Sequence, residues 1–121
     1  TFSQEIKMDG AIIVSTPQEV ALLDVKRGIK MFDKLKVKIL GLVDNMSFFI
    51  GDDGKKYKIF GEGGVKKTAD EFKKEFMGEI PIDPIVGKSG DSGVPLVEAN
   101  SEHEISKIYI NFAKKIKDKY F

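Results

Sequence analysis

Four groups of residues in this chain could do chemistry. The first is Gly61-Glu62-Gly63-Gly64-Val65-Lys66-Lys67-Thr68. It ends like a phosphate-binding loop, G-x-x-x-x-G-K-[ST], whose backbone N–H groups cradle phosphates at a helix start. Lys66 stands where the second glycine belongs, and a side chain there crowds the backbone that must close round the phosphate. The stretch therefore reads as a glycine-rich approach to a helix. The second group is Asn45 with Pro81, Ile82 and Asp83, each at the end of a short apolar run. An amide donates and accepts in one plane, as a purine edge does, and a proline-fixed turn can wall a ring. The same residues also suit plain turns after two strands. The third is Asp52-Asp53, with Asp44 upstream. Such carboxylates can hold a cation, and they equally decorate an exposed hairpin tip. The fourth is His103, the only histidine, beside Glu102 and Glu104 at a helix start. With no second histidine, neither a metal site nor a nucleophile–base pair has support. The reading assigns no catalytic residue and no metal ligand.

Composition narrows the classes further. The chain has 121 residues and no cysteine, which removes disulfides, thiolate metal sites and cysteine nucleophiles from it. Charged residues make up 32%, with a formal net charge of +1. That balance argues against a nucleic-acid partner, which needs a basic face. No apolar run approaches the roughly 18 residues of a membrane span, and there is no signal-peptide pattern. The expectation is one cytoplasmic domain over residues 1–121 with no membrane contact.

The elements that must position these groups follow from pattern. Residues 1–8 read as the tail of a helix that begins elsewhere. Residues 11–15 (AIIVS) form a short β-branched run suited to a buried strand. Thr16, Pro17 and Glu19 look like a capping box with proline at the first helical position, and Leu22, Val25, Ile29 and Phe32 supply an apolar stripe. Residues 37–43 (VKILGLV) read as a central strand. Two apolar runs flanking Gly51-Asp52-Asp53-Gly54 predict a hairpin. A helix over residues 65–74 leads to a strand over residues 76–80. Residues 83–95 read as one helical turn followed by a loop. Ser101 and Glu104 predict the start of a last helix whose buried face is Ile105, Ile108, Phe112 and Ile116. The fold class is α/β: a partial doubly wound parallel sheet of about three strands in sequential order, with flanking helices and a β-hairpin insertion. In such sheets ligands gather outside the carboxyl ends of the strands, where Asn45 and Pro81 fall.

Several segments together resemble one family. AIIVSTPQEVALLDVKRGIKMF, ILGLVDNMSFF, IFGEGG, GEIPID and SGDSGVPLV, in this order and spacing, are similar to the C-terminal half of Mrp/ApbC proteins. These are MinD-like P-loop ATPases implicated in iron–sulfur cluster delivery. The resemblance implies ATP and Mg²⁺ as cofactors of the parent protein, a homodimer, and iron–sulfur client proteins as partners. It implies that Asn45 contacts adenine and that Pro81, Ile82 and Asp83 line its pocket. The family's phosphate loop and switch aspartates precede the matched region, so this chain is expected to hydrolyse no ATP by itself. Many members carry Cys-x-x-Cys where this chain has Gly51 and Gly54, which excludes cluster ligation by that motif here. The alternative reading is a MinD/ParA-like positioning or interaction module that uses nucleotide as a switch and carries no cluster. Finally, residues 11–15 would leave a free apolar sheet edge, which predicts pairing with another chain unless residues 1–8 cover it.

Overall fold

A computed structural model describes residues 7–121. Most of the helix tail expected over residues 1–8 lies outside the described residues, and so does any cover it gives the sheet edge.

The described chain runs β1 (Ala11–Ser15), α1 (Glu19–Lys34), β2 (Ile39–Asn45), β3 (Phe49–Ile50), β4 (Lys56–Tyr57), α2 (Gly64–Glu71), β5 (Phe76–Ile80), α3 (Pro84–Ser92), α4 (Leu96–Ala99) and α5 (Glu104–Tyr120). Three strands form a parallel sheet in the order β1-β2-β5, and β3 and β4 form a separate antiparallel hairpin. The expected sheet order and insertion are both present. β2 is the central strand, and six of its seven residues are buried. Alternation sends its side chains to opposite faces. Leu42 joins Val25, Ile29, Ile39, Val65 and Ala69 in a core beneath α1 and α2. Val43 joins Met77, Ile80, Leu96 and Ile105 in a second core beneath α4 and α5. Helices on both faces are what a parallel sheet requires.

Several boundaries differ from those the pattern suggests. The central strand is displaced to residues 39–45, because Asp44 and Asn45 still pair with Glu79 and Ile80 of β5. Helix α1 starts two residues later than the capping box predicts. Its cap is Gln18, without a side-chain bond, while Thr16 Oγ1 donates to Gln18 Oε1 at 3.3 Å. Residues 84–92 form a helix of nine residues, longer than the single turn expected before the loop; Asp83 caps it and Pro84 opens it. The last helix is capped by His103, not Ser101. Gly61 returns the hairpin to the body at φ +129°, and a side chain there would come within 2.9 Å of the Pro17 carbonyl oxygen.

β1 lies at the edge of the sheet, with Ile12 40% and Val14 56% exposed. The helix ends below the sheet share one device. After α1, Lys36 N–H donates to the Asp33 carbonyl and Val37 N–H to the Phe32 carbonyl; after α2, Lys73 bonds Asp70 and Lys74 bonds Ala69 in the same pattern. These are Schellman turns, which favour glycine at the left-handed position. Here lysines occupy it, at φ 58° and 56°. Their charge complements the helix C-termini, and their Cβ atoms oppose the backbone. Lys36→Gly and Lys73→Gly are each expected to stabilise the fold by about 0.5–1 kcal/mol. Thermal unfolding checks this: a drop in Tm for both variants would mean the charge outweighs the dihedral.

Candidate functional site

The carboxyl ends of β2 and β5 bring the expected site together. Asn45 pairs in register with Ile80, the residue before Pro81. The turn after β2 is fixed from both sides: Ser47 N–H donates to the Ile80 carbonyl at 3.0 Å, and Ile82 N–H to the Phe48 carbonyl at 2.7 Å. Asn45, Pro81, Ile82 and Asp83 are all half-buried. Met46, between Asn45 and Ser47, holds a left-handed φ of 55°, a costly conformation for a side-chain-bearing residue. Its N–H donates to Asn45 Oδ1 at 3.0 Å. The amide of Asn45 thus has its acceptor committed to the turn. Asp83 is also committed. Its Oδ1 accepts from Ile85 N–H at 3.0 Å, and its Oδ2 lies 3.9 Å from His103 Nε2. The Asn45 amino group and the half-buried Pro81 and Ile82 are the remaining polar and apolar parts of this turn.

The other candidates are spent locally. Thr68, at the end of the phosphate-loop look-alike, is buried, and its hydroxyl donates to the Gly64 carbonyl at 2.8 Å inside α2. Asp53 accepts from the Tyr57 hydroxyl and, at 2.9 Å, from Lys55 N–H, which closes the hairpin tip. The Tyr57 bond is the main reason the Asp53 carboxyl lies below its ordinary range. His103 Nδ1 accepts from Ile105 N–H at 3.1 Å, so the histidine is a helix cap facing Asp83. Among the described residues, no three of His, Cys, Asp and Glu converge on one point. A groove of about 650 Å³ opens between α1 and α2, lined by Pro17, Val20, Leu22, Phe60 and Lys67, and does not reach Asn45.

Sequence reasoning grouped Asp44 with the hairpin carboxylates Asp52 and Asp53 and missed its burial at this end of the sheet. Asp44 is 1% exposed. It faces the α1–α2 side, opposite to Asn45, between Ser15 of β1 and Glu79 of β5 in register. Its Oδ2 accepts from Ser47 Oγ at 3.3 Å, and its Oδ1 has no hydrogen-bond partner among the described residues. Loss of water raises its pKa to about 6, with the Ser47 bond and Lys58 opposing that rise and Glu79 adding to it. The available signal was an acidic residue inside the apolar run ILGLV.

The chain matches the family described as ParA: NUBPL iron-transfer P-loop NTPase over residues 1–117. It is 40% identical over 115 residues to the iron-sulfur cluster carrier protein of Aquifex aeolicus, covering 94% of this chain and 32% of that protein. It is 44% identical over 117 residues to the iron-sulfur protein required for NADH dehydrogenase, mitochondrial, of Arabidopsis thaliana, covering 96% and 37%. The chain thus spans about a third of the length of these curated relatives. Among solved structures it resembles a nucleotide-binding protein of Archaeoglobus fulgidus in complex with ADP, at 41% identity and a TM-score of 0.65, over 75% of this chain and 38% of that one. The cell division ATPase MinD of Pyrococcus furiosus shares the fold at 22% identity and a TM-score of 0.69, over 91% and 43%.

The Asp44 carboxyl sets a pH dependence. Its pKa is raised by folding, so the folded chain binds this proton more tightly than the unfolded one, and ionisation costs stability. A rise from 3.8 to about 6 corresponds to about 3 kcal/mol at neutral pH. The cost is fully present above pH 6 and vanishes as pH falls towards 4. Asp44→Asn is expected to raise stability at pH 7.5 by about 1–3 kcal/mol, and the gain should disappear near pH 4. Denaturant unfolding at the two pH values checks this, and an equal effect at both would exclude the ionisation as its cause.

Proposed function

This chain belongs to the family of ParA-type NUBPL iron-transfer P-loop NTPases, and from that premise we propose that it supplies the base-recognising part of an ATP-binding protein of iron–sulfur cluster assembly. The observation that supports this reading is the register of Asn45 beside Ile80, the residue before Pro81, at the carboxyl end of the sheet. Asn45 would address the edge of adenine, while Pro81 and Ile82 would flank the ring. Asp83 would act indirectly, by capping α3 and holding the turn. The nucleotide, with Mg²⁺ bound through its phosphates, supplies a charge that can switch contacts between protein surfaces. The whole protein would act in the cytoplasm as a homodimer that serves iron–sulfur client proteins.

Cluster carriage does not extend to the hairpin of this chain. Gly51 and Gly54 bracket a turn closed by Asp53 and Tyr57, and the chain holds no thiolate. That absence favours the second reading, a MinD/ParA-like module in which nucleotide switches a partner surface without a cluster. Anaerobic reconstitution with iron and sulfide distinguishes the two, since a stoichiometric cluster on this chain would exclude the second.

The nucleotide reading is tested by titration calorimetry and amide chemical shifts. ATP is expected to bind this chain with a Kd weaker than about 100 µM, because phosphate contacts contribute much of nucleotide affinity. Shifts should centre on Asn45 and Ile82, and Asn45→Ala should abolish them. Shifts elsewhere would remove the site from this turn. No phosphate release above a blank is expected, since Thr68 and Lys66 cannot form the cradle.

The position of β1 at the edge of the described sheet generates the last expectation. Ala11 to Ser15 carry no proline and no charge to blunt it. The chain is expected to associate through this edge, and Val14→Pro, at a residue whose N–H alternates away from β2, should return it to monomer. Sedimentation at micromolar concentration showing a clean monomer would mean the edge is covered from within.

A further inference from the structure

Two helix caps meet beyond the carboxyl end of β5. Asp83 caps α3, with Oδ1 accepting from Ile85 N–H at 3.0 Å. His103 caps α5, with Nδ1 accepting from Ile105 N–H at 3.1 Å. The other ends of the two side chains face each other, with His103 Nε2 3.9 Å from Asp83 Oδ2. A ring nitrogen that accepts a hydrogen bond carries no proton, so the capping imidazole is neutral and its one N–H is at Nε2. At 3.9 Å that N–H stands beside the carboxylate without being hydrogen-bonded to it. We propose that His103 is a pH-sensitive junction between the starts of α3 and α5: the neutral ring caps α5, and the protonated ring releases Ile105 and pairs with Asp83.

The two states follow from one nitrogen. Imidazole is the side chain whose charge changes between about pH 5 and 8. A proton on Nδ1 turns the acceptor of the cap into a donor, and two N–H groups then confront each other. A positive ring is also disfavoured at a helix N-terminus, where the dipole repels cations. The Asp83 carboxylate draws the ring the other way. The remaining charges on the surrounding elements are Lys88 and Asp91 on α3, Glu98 on α4, Glu102 and Glu104 beside the ring, and Lys107 on α5, paired with Glu102 at 3.7 Å. Among the described residues, Asp83 alone comes within ion-pair distance of the imidazole. The backbone of His103 is held independently of its ring. Its N–H donates to the Asn100 carbonyl at 3.2 Å, and its carbonyl accepts from Lys107 N–H at 3.0 Å. The ring can therefore change partners without moving the chain.

The two helices respond unequally. α5 is anchored beyond its cap: Ile105 and Ser106 are buried, and Ser106 Oγ donates to the Asn100 carbonyl at 2.7 Å. None of the residues of α3 is buried. Gly87 and Gly90 lie in its interior, where glycine weakens a helix, and a Cβ at either would meet nothing within 4 Å. α3 therefore depends on the Asp83 cap more than α5 depends on the His103 ring. Acid moves the histidine from the helix that can spare it to the carboxylate that starts the weaker one. The pair then holds Asp83 in its capping orientation, and α3 gains order as the first turn of α5 loses it. This device stands on the two caps alone and needs no bound nucleotide.

The test is amide hydrogen exchange of the whole chain, measured by NMR across the imidazole range and read as protection relative to an unstructured chain. From the alkaline to the acid side, protection at Ile105 is expected to fall about fivefold, the worth of a lost cap. Protection at Ile85 should rise about threefold, as a part-exposed ion pair allows. His103→Asn keeps a capping side chain that does not titrate, and neither change is expected there. Asp83→Asn keeps the α3 cap without its charge, so Ile105 should still respond and Ile85 should not. Asp44 titrates nearby in pH, with its pKa raised to about 6, and it is present in both variants, so a response that survives His103→Asn belongs to it. Opposed changes at the two amides are the signature, because a change in global stability moves both the same way. Any other pattern in the native chain, an unaltered response in His103→Asn, or a gain at Ile85 that persists in Asp83→Asn would overturn the proposal.

Discussion

The rest of this structure depends on the double burial of one strand. β2 is hydrogen-bonded on both edges and covered on both faces, so it can end only where its neighbours end. Leu42 and Val43, adjacent in sequence, commit the two faces to two different cores. A slip of one residue would exchange those cores and bring Asp44 into the apolar layer beneath α5. Register is thereby fixed, and the polar residues that follow Val43 arrive together at the carboxyl end of the sheet.

What arrives there is expensive. Asp44 is buried with an unpaired oxygen, and Met46 is left-handed. Asn45 spends its acceptor on the turn itself. These costs are borne by the apolar layers on either side, which is the usual distribution in a fold that concentrates strain at its ligand end. The amide donor of Asn45 is preorganised because its carbonyl is tied back. The same turn binds the hairpin root through Ser47 and Phe48, so Asn45 and the hairpin arm share one support.

The hairpin of this chain contains no cysteine. Its tip is held by Asp53, Tyr57 and backbone bonds. The arm retains exposed apolar residues, and these suit contact with a protein surface.

The sequence by itself determined the sheet. β-branched runs at residues 11–15 and 39–43, the hairpin signal at Asp53-Gly54 and the apolar stripes of α1 and α5 each follow from local period, and local period needs no knowledge of neighbours. It also placed Asn45 and Pro81 at strand ends, because a strand stops where apolar alternation stops. Tertiary structure decided what local pattern leaves open. Pairing with β5 extended β2 through Asp44 and Asn45, though neither residue favours a strand. Asp83 and His103, distant in sequence, each became a helix cap and came to face one another, so Ser101 lost the role its capping box suggested. Lys36 and Lys73 took the left-handed positions that glycine favours. The buried state of Asp44 was the least legible feature. Burial belongs to the layers that close over a residue, and those layers are contributed by helices, a hairpin and a strand that the residue's own neighbourhood does not contain.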